Sequence, residues 1–180
     1  MAKRDPLLDP APLIRRVYAY AAYRLGDAHD AEDVTSEVFE RALRYRNGFD
    51  PAKGQPVTWL LGIASRCVSD ALRRRSVERA LPVEGEDVFD DELESSAVRR
   101  LTLADAMGTL DERAQELIAL RYGADLTARQ IGGLVGLSTN AVEVALHRAL
   151  GRLRVELTGE PEAHKAPRRA PDQARSSTAG

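Results

Sequence analysis

The sequence predicts an all-α protein of two small helical domains joined by a flexible acidic linker. Three observations carry that expectation. Apolar residues recur at spacings of three and four along most of the chain, and no stretch alternates with the period of two that a half-buried strand needs. The composition, 43% hydrophobic and 30% charged with only 5% aromatic, favours helices, and 180 residues suit one or two domains. Between Ser76 and Ser96 the helical period lapses and the chain turns strongly acidic around Pro82 and Gly85.

Residues 1–12 read as a loose leader with Pro6, Pro10 and Pro12. A helix is expected from Leu13 to Leu25, closed by Gly26. The segment Asp27 to Asp30 caps a second helix that runs to about Tyr45. Asn47 to Pro56, with two glycines and two prolines, is a loop. A third helix is expected from near Thr58, ending at Arg73-Arg74-Arg75, where three cations complement the helix dipole. The acidic segment 76–98 is the linker, with room for a short helix. Helices resume near Ala97 and continue through Met107; Asp111 caps a further helix to Tyr122. The domains so defined are 13–75 and 99–157. The tail 158–180, rich in Pro, Ala, Ser and Arg, is expected to be disordered.

The segment Leu126 to Arg154 has the grammar of a helix-turn-helix. Thr127 and Gln130 stand at the spacing of a capping box. Ile131, Leu134 and Val135 share one apolar face, Gly136 can end the helix in the left-handed conformation, and Ser138 can cap the next helix. That next helix buries Val142, Ala145, Leu146, Ala149, Leu150 and Leu153. Its other face carries Thr139, Asn140, Glu143, His147, Arg148 and Arg152. A plain helical hairpin shows the same periodicity, so context decides.

The first domain supplies context. In DAEDVTSEVFERAL, residues 30–43, Ala31, Val34, Val38 and Ala42 form a stripe while Glu32, Asp33, Glu37 and Glu40 leave the rest acidic. That pattern is either a solvated face or a docking surface for a basic partner. In the third helix Leu60, Ile63, Ala64, Cys67, Val68, Ala71 and Leu72 form a core stripe, and Arg66, Ser69, Asp70 and Arg73 lie together outside it. Clustered arginines beside a phosphate chain release counterions. Tyr45, Phe49 and Trp59 gather around one loop in a chain poor in aromatics, which points to base stacking, although Trp59 is equally suited to a core.

Several classes are excluded or disfavoured. The net charge of −2 is unusual for a simple DNA binder, but the charge is segregated into acidic and basic blocks. Cys67 is the only cysteine, so there is no disulfide framework and no cysteine-based zinc site. His29, His147 and His164 are scattered, and no nucleophile, metal or phosphate-loop pattern occurs. No enzyme activity, catalytic residue, metal or cofactor is therefore expected. No signal peptide or membrane-length apolar run is visible, and a cytoplasmic protein is expected.

These parts in this order resemble the extracytoplasmic-function sigma factors of bacterial RNA polymerase, small members of the sigma-70 family. DAEDVTSEVFERAL and TWLLGIASRCVSDALRRR look like its region 2; LDERAQELIALRYGADLTARQIGGLVGLSTNAVEVALHRALGRLR looks like its region 4. The resemblance implies that region 2 docks on the clamp helices of the largest polymerase subunit through Asp33, Glu37 and Glu40. It implies −10 element recognition and melting, for which Phe49, Trp59, Arg66, Arg73, Arg74 and Arg75 are the expected residues. Region 4 would meet the flap of the second-largest subunit and the −35 element, through Arg129, Ser138, Thr139, Asn140, Glu143, His147, Arg148 and Arg152. An anti-sigma factor is an implied partner, alongside core RNA polymerase and promoter DNA. Under the same resemblance the linker threads toward the polymerase active-site cleft.

The chain also departs from the family pattern. Ser65-Arg66 stands where members often have Arg-Asn, and Glu143, Val144 and Ala145 where Lys, Ser and Arg are common. Glu143 can accept a hydrogen bond from cytosine N4 but repels phosphate, so a different or weaker −35 preference is expected. Gly132 and Gly133 inside a helix cost about 1 kcal/mol each against alanine, which predicts a marginally stable element. Two other readings remain open at this level: a stand-alone helix-turn-helix regulator and a protein-binding helical adaptor.

Overall fold

The computed structural model describes residues 5–80 and 103–158, and among these every regular element is a helix. Helix α1 spans Pro10–Leu25, starting before Leu13 because a proline in the first turn forfeits only an N–H that has no helical partner. It ends at Gly26, whose φ of 68° lets its N–H reach the Ala22 carbonyl at 2.9 Å. Helix α2 spans Ala28–Tyr45, and the Asp27 carboxylate accepts the Asp30 N–H at 2.8 Å. A single 3₁₀ turn, Arg46–Gly48, leads into the loop.

Helix α3, Pro56–Ala80, corrects the expected boundary at both ends. It begins at a proline, as α1 does, and it continues past Arg73-Arg74-Arg75. Those arginines therefore sit within the helix, and stabilisation of its C-terminal dipole is not their role. The first five residues assigned to the linker, 76–80, are helical; the rest of that segment lies outside the described residues, as do 97–102 and the tail from 159. Helix α4 covers 103–108. Helix α5, Glu112–Ile118, runs on through a π-helical turn, Ala119–Gly123. Helices α6, Ala128–Val135, and α7, Thr139–Thr158, complete the described residues.

The core is continuous across both domains. Val17, Tyr20 and Ala21 of α1 meet Val34 and Val38 of α2 and Leu60, Leu61 and Ala64 of α3, all essentially sealed from solvent. In the second domain Leu117, Leu120, Leu126, Ile131 and Val142 are sealed in the same way. Each such aliphatic side chain stabilises the fold by roughly 1.5–3 kcal/mol on burial. The two domains also touch directly, because the π-helical turn of the second packs on α1. A hypothetical Cβ at Gly123 would lie 2.9 Å from the Ala19 carbonyl oxygen and 3.1 Å from Tyr20 Cα, so only glycine permits this approach.

Candidate nucleic-acid interface

The helix-turn-helix is built as its residues require. The Thr127 hydroxyl accepts the Gln130 N–H at 3.3 Å, and the Gln130 side chain accepts the Thr127 N–H at 2.9 Å. Gly136 ends α6 with φ 73°, and the Ser138 hydroxyl accepts the Ala141 N–H at 3.2 Å to cap α7. Gly132 is a requirement of the turn: an added Cβ would lie 2.5 Å from the Leu137 carbonyl oxygen, while Leu137 donates its N–H back to the Gly132 carbonyl at 3.0 Å. Gly133, in contrast, has nothing within 4 Å. The two glycines expected to weaken α6 alike therefore have different standings.

Helix α7 buries Val142, Leu146, Ala149 and Leu153. Thr139, Asn140, Glu143, His147 and Arg148 are exposed on the opposite surface, as is Arg129 at the start of α6. Val144 is also 41% exposed. Arg152 reaches back to Asp111 at 2.9 Å. The Asp111 carboxylate also caps α5 by accepting the Ala114 N–H at 2.8 Å. That backbone hydrogen bond, with the Arg152 guanidinium second, holds the Asp111 carboxyl below its ordinary range.

In the first domain the expected residues separate. Trp59 is half-buried and tilted against Phe49, with ring centroids 5.5 Å apart at 55°. Phe49 is only 5% exposed, so it backs Trp59 and presents no open face for stacking, which corrects its expected role. Arg66, Arg73 and Arg74 are exposed, with Arg73 3.8 Å from Asp70. Arg75 is engaged internally: it donates to the Leu25 carbonyl at 2.8 Å and pairs with Asp30. It ties α3 to the corner between α1 and α2 and satisfies a carbonyl at the end of α1 that has no helical partner. On α2, Asp33 and Glu40 are exposed, while Glu37 is half-buried and bonded to Arg41.

A second polar cluster escaped the sequence reading. Glu116 of α5, its side chain 13% exposed, accepts the Tyr20 hydroxyl at 2.7 Å and the Ser65 hydroxyl at 3.2 Å. Arg24, with a side chain 2% exposed, places Nε 3.1 Å from the same carboxylate without the alignment of a hydrogen bond, and donates to the Gln115 side chain at 3.1 Å. Burial, then the Glu116 carboxylate, pushes the Tyr20 phenol far above its ordinary range, so it remains a proton donor. One signal was available: Arg24 extends the stripe Val17, Tyr20, Ala21 at helical spacing, and a cation in a core stripe calls for a buried acid. Nearby, Arg16 donates to the carbonyls of Ala124 and Asp125 at 2.6 and 2.8 Å.

A helix-turn-helix with an exposed second helix, joined to a helical domain bearing an acidic face and an aromatic–cationic edge, fits the class of DNA-binding transcription proteins. Comparison with known proteins sharpens that class. The family described as Sigma-70 region 2 matches residues 12–77, and Sigma-70, region 4 matches residues 106–155. The chain is 33% identical over 168 residues to ECF RNA polymerase sigma factor ShbA of Streptomyces griseus, covering 85% of this chain and 86% of that one. It is 31% identical over 144 residues to ECF RNA polymerase sigma factor BldN of Streptomyces coelicolor, covering 76% of this chain and 54% of BldN. The fold superposes on the sigma factor RpoE of Bartonella quintana, solved in complex with the anti-sigma factor NepR. The TM-score is 0.62 at 17% identity, over 81% of this chain and 91% of that one. The chain belongs to the extracytoplasmic-function sigma factors of RNA polymerase. Among the described residues no helix is long and apolar enough to cross a membrane.

Proposed function

We propose that this chain directs core RNA polymerase, in the cytoplasm, to a specific set of promoters, with the two domains reading separate elements. The observation that carries this is the presence in one chain of an exposed α7 recognition face and, on a separate domain, Trp59 and the α3 arginines beside an acidic α2 surface. Asp33, Glu37 and Glu40 dock on the clamp helices of the largest subunit, and the second domain meets the flap of the second-largest. A stand-alone regulator has no use for that acidic face. Trp59, backed by Phe49, stacks on an unpaired base of the −10 element. Arg66, Arg73 and Arg74 meet phosphates, while Arg75 braces the helix that carries them.

At the −35 element Thr139, Asn140 and Glu143 face base edges, with Ser138 fixing the start of the helix. Arg129, His147, Arg148 and Arg152 lie nearer the backbone. Glu143 selects cytosine through N4, and the exposed Val144 methyls suit a thymine methyl. The chain acts without a cofactor or chemistry of its own. An anti-sigma factor of the kind bound to RpoE is the proposed regulator.

Run-off transcription and permanganate footprinting at a mapped target promoter test the assignments. Arg148→Ala should weaken promoter binding on all sequences and reduce the salt slope by about 1. Trp59→Ala should retain polymerase binding yet lose most thymine reactivity in the opened strand. Opening by Trp59→Ala at the wild-type level would reject the role given to Trp59.

A further inference from the structure

The domain that carries the helix-turn-helix is short of positive charge. Across residues 103–158 six arginines stand against seven carboxylates, and there is no lysine. Three of the six bond within the domain: Arg113 to the Val135 carbonyl at 3.0 Å, Arg121 to the Leu126 carbonyl at 2.8 Å and Arg152 to Asp111 at 2.9 Å. Glu143 adds a carboxylate to the exposed face of α7. Affinity for a duplex that is independent of sequence comes from neutralised phosphates, each of which releases condensed counterions. A surface with this balance of charge releases few.

The missing cations lie further along the chain. Beyond Thr158, where α7 ends, residues 163–180 carry Lys165, Arg168, Arg169 and Arg175 against a single carboxylate, Asp172. The same stretch holds no Val, Ile, Leu, Met or aromatic residue. It therefore lacks the apolar anchors on which protein interfaces depend, and its chemistry is that of charge alone. A polyanion is the partner that such chemistry fits.

Length permits the contact. Asn140, near the start of α7, lies about 27 Å back from Thr158 at 1.5 Å per residue. Arg168 and Arg169 stand ten and eleven positions past Thr158, and ten residues span at most about 35 Å. These cations can thus reach back along the whole recognition helix to phosphates flanking the bases it faces. Covalent attachment also raises their effective concentration beside any duplex that α7 occupies.

We propose that residues 163–180 are a second DNA contact of this domain, a cationic arm that lies on backbone phosphates beside the −35 element. The arm adds affinity without sequence information, while the α7 residues choose the site. A recognition face bearing Glu143 can then discriminate by hydrogen bonding while the arm supplies the hold on the duplex. The inference rests on the −35 role proposed above for α7.

The test compares the full chain with a full-length variant carrying Lys165→Gln, Arg168→Gln, Arg169→Gln and Arg175→Gln. All four positions lie beyond the last residue of α7. Each protein is assembled with core polymerase and titrated on a promoter duplex between 50 and 200 mM salt. The plot of log affinity against log salt should be shallower for the variant by about 3 to 4, at about 0.9 per phosphate contact. Over that range wild type should lose about 100-fold more affinity than the variant. The variant's deficit at low salt should be equal on promoters of different flanking sequence, and start sites should not move. Equal slopes and equal affinities for the two proteins would overturn the arm. So would a variant that binds core polymerase more weakly without DNA yet keeps the wild-type salt slope, since the arm would then serve the polymerase. Scrambling the −35 bases separates the two claims. If neither protein responds to it, the −35 role of α7 fails and the arm falls with it; if both respond equally while their slopes differ, both claims stand.

Discussion

Gly132 has no room for a methyl group, whereas Gly133 has ample room. Gly132→Ala would press a Cβ onto the Leu137 carbonyl, which closes the turn between α6 and α7. The expected loss is about 1–3 kcal/mol, as for other overpacked sites. Gly133→Ala should instead gain about 0.5–1 kcal/mol, because alanine loses less freedom than glycine in a helix. Urea unfolding of the two variants checks both signs; a gain in stability for Gly132→Ala would contradict the turn geometry. The sequence marks both glycines but cannot separate them, since the difference depends on where a carbonyl five residues away comes to rest. Glu143 is legible in the other sense: a lone acid on a cationic, exposed face is visible from spacing alone. Glu143→Lys should change the base preferred at one −35 position by about 1–3 kcal/mol of discrimination. Selection from a randomised −35 library measures this, and an unchanged preference would mean that α7 does not present Glu143 to the bases.

At the scale of elements, the ends of helices were the most legible features. The Thr127–Gln130 box, the Asp27 cap and the left-handed Gly26 all formed where the residues predict, because donor and acceptor lie within four positions. Thr127→Ala should cost about 1 kcal/mol of stability, read from the thermal midpoint. The end of α3 was not legible. Arg75 looks like a terminal cation, but its partner is the Leu25 carbonyl, 50 positions away, and nothing local announces it. Asp111 joins both kinds of information, capping α5 locally and gripping Arg152 of α7 at a distance. Its carboxyl is held below the ordinary range, so the folded form binds its proton less readily than the unfolded chain does. The stabilisation it provides is therefore complete above the ordinary carboxylate pKa and is lost as the pH falls through the lower folded value. Denaturant unfolding of wild type and Asp111→Asn should show a difference at pH 7 that shrinks toward pH 3. A difference that grows in acid would contradict the assignment.

At the scale of the molecule, the two helical domains and the order of their motifs could be read from periodicity and composition, but their mutual packing could not. Tyr20 and Glu116 are 96 positions apart, and only the folded arrangement of α1 against α5 brings them together. The acidic segment between the domains reads as a spacer, and it gives no hint that the domains it joins also pack on each other. Promoter specificity has the same two-part character: the α7 surface can be inspected residue by residue, while its spacing from Trp59 and Arg66 depends on how the two domains are arranged. Transcription from a genomic-fragment library with purified core polymerase, with and without the full chain, tests whether this chain confers promoter choice on RNA polymerase. Discrete new start sites that depend on the chain and share two upstream elements at fixed spacing are the expected result. Intact DNA binding with no new start sites would contradict it and favour a stand-alone helix-turn-helix regulator.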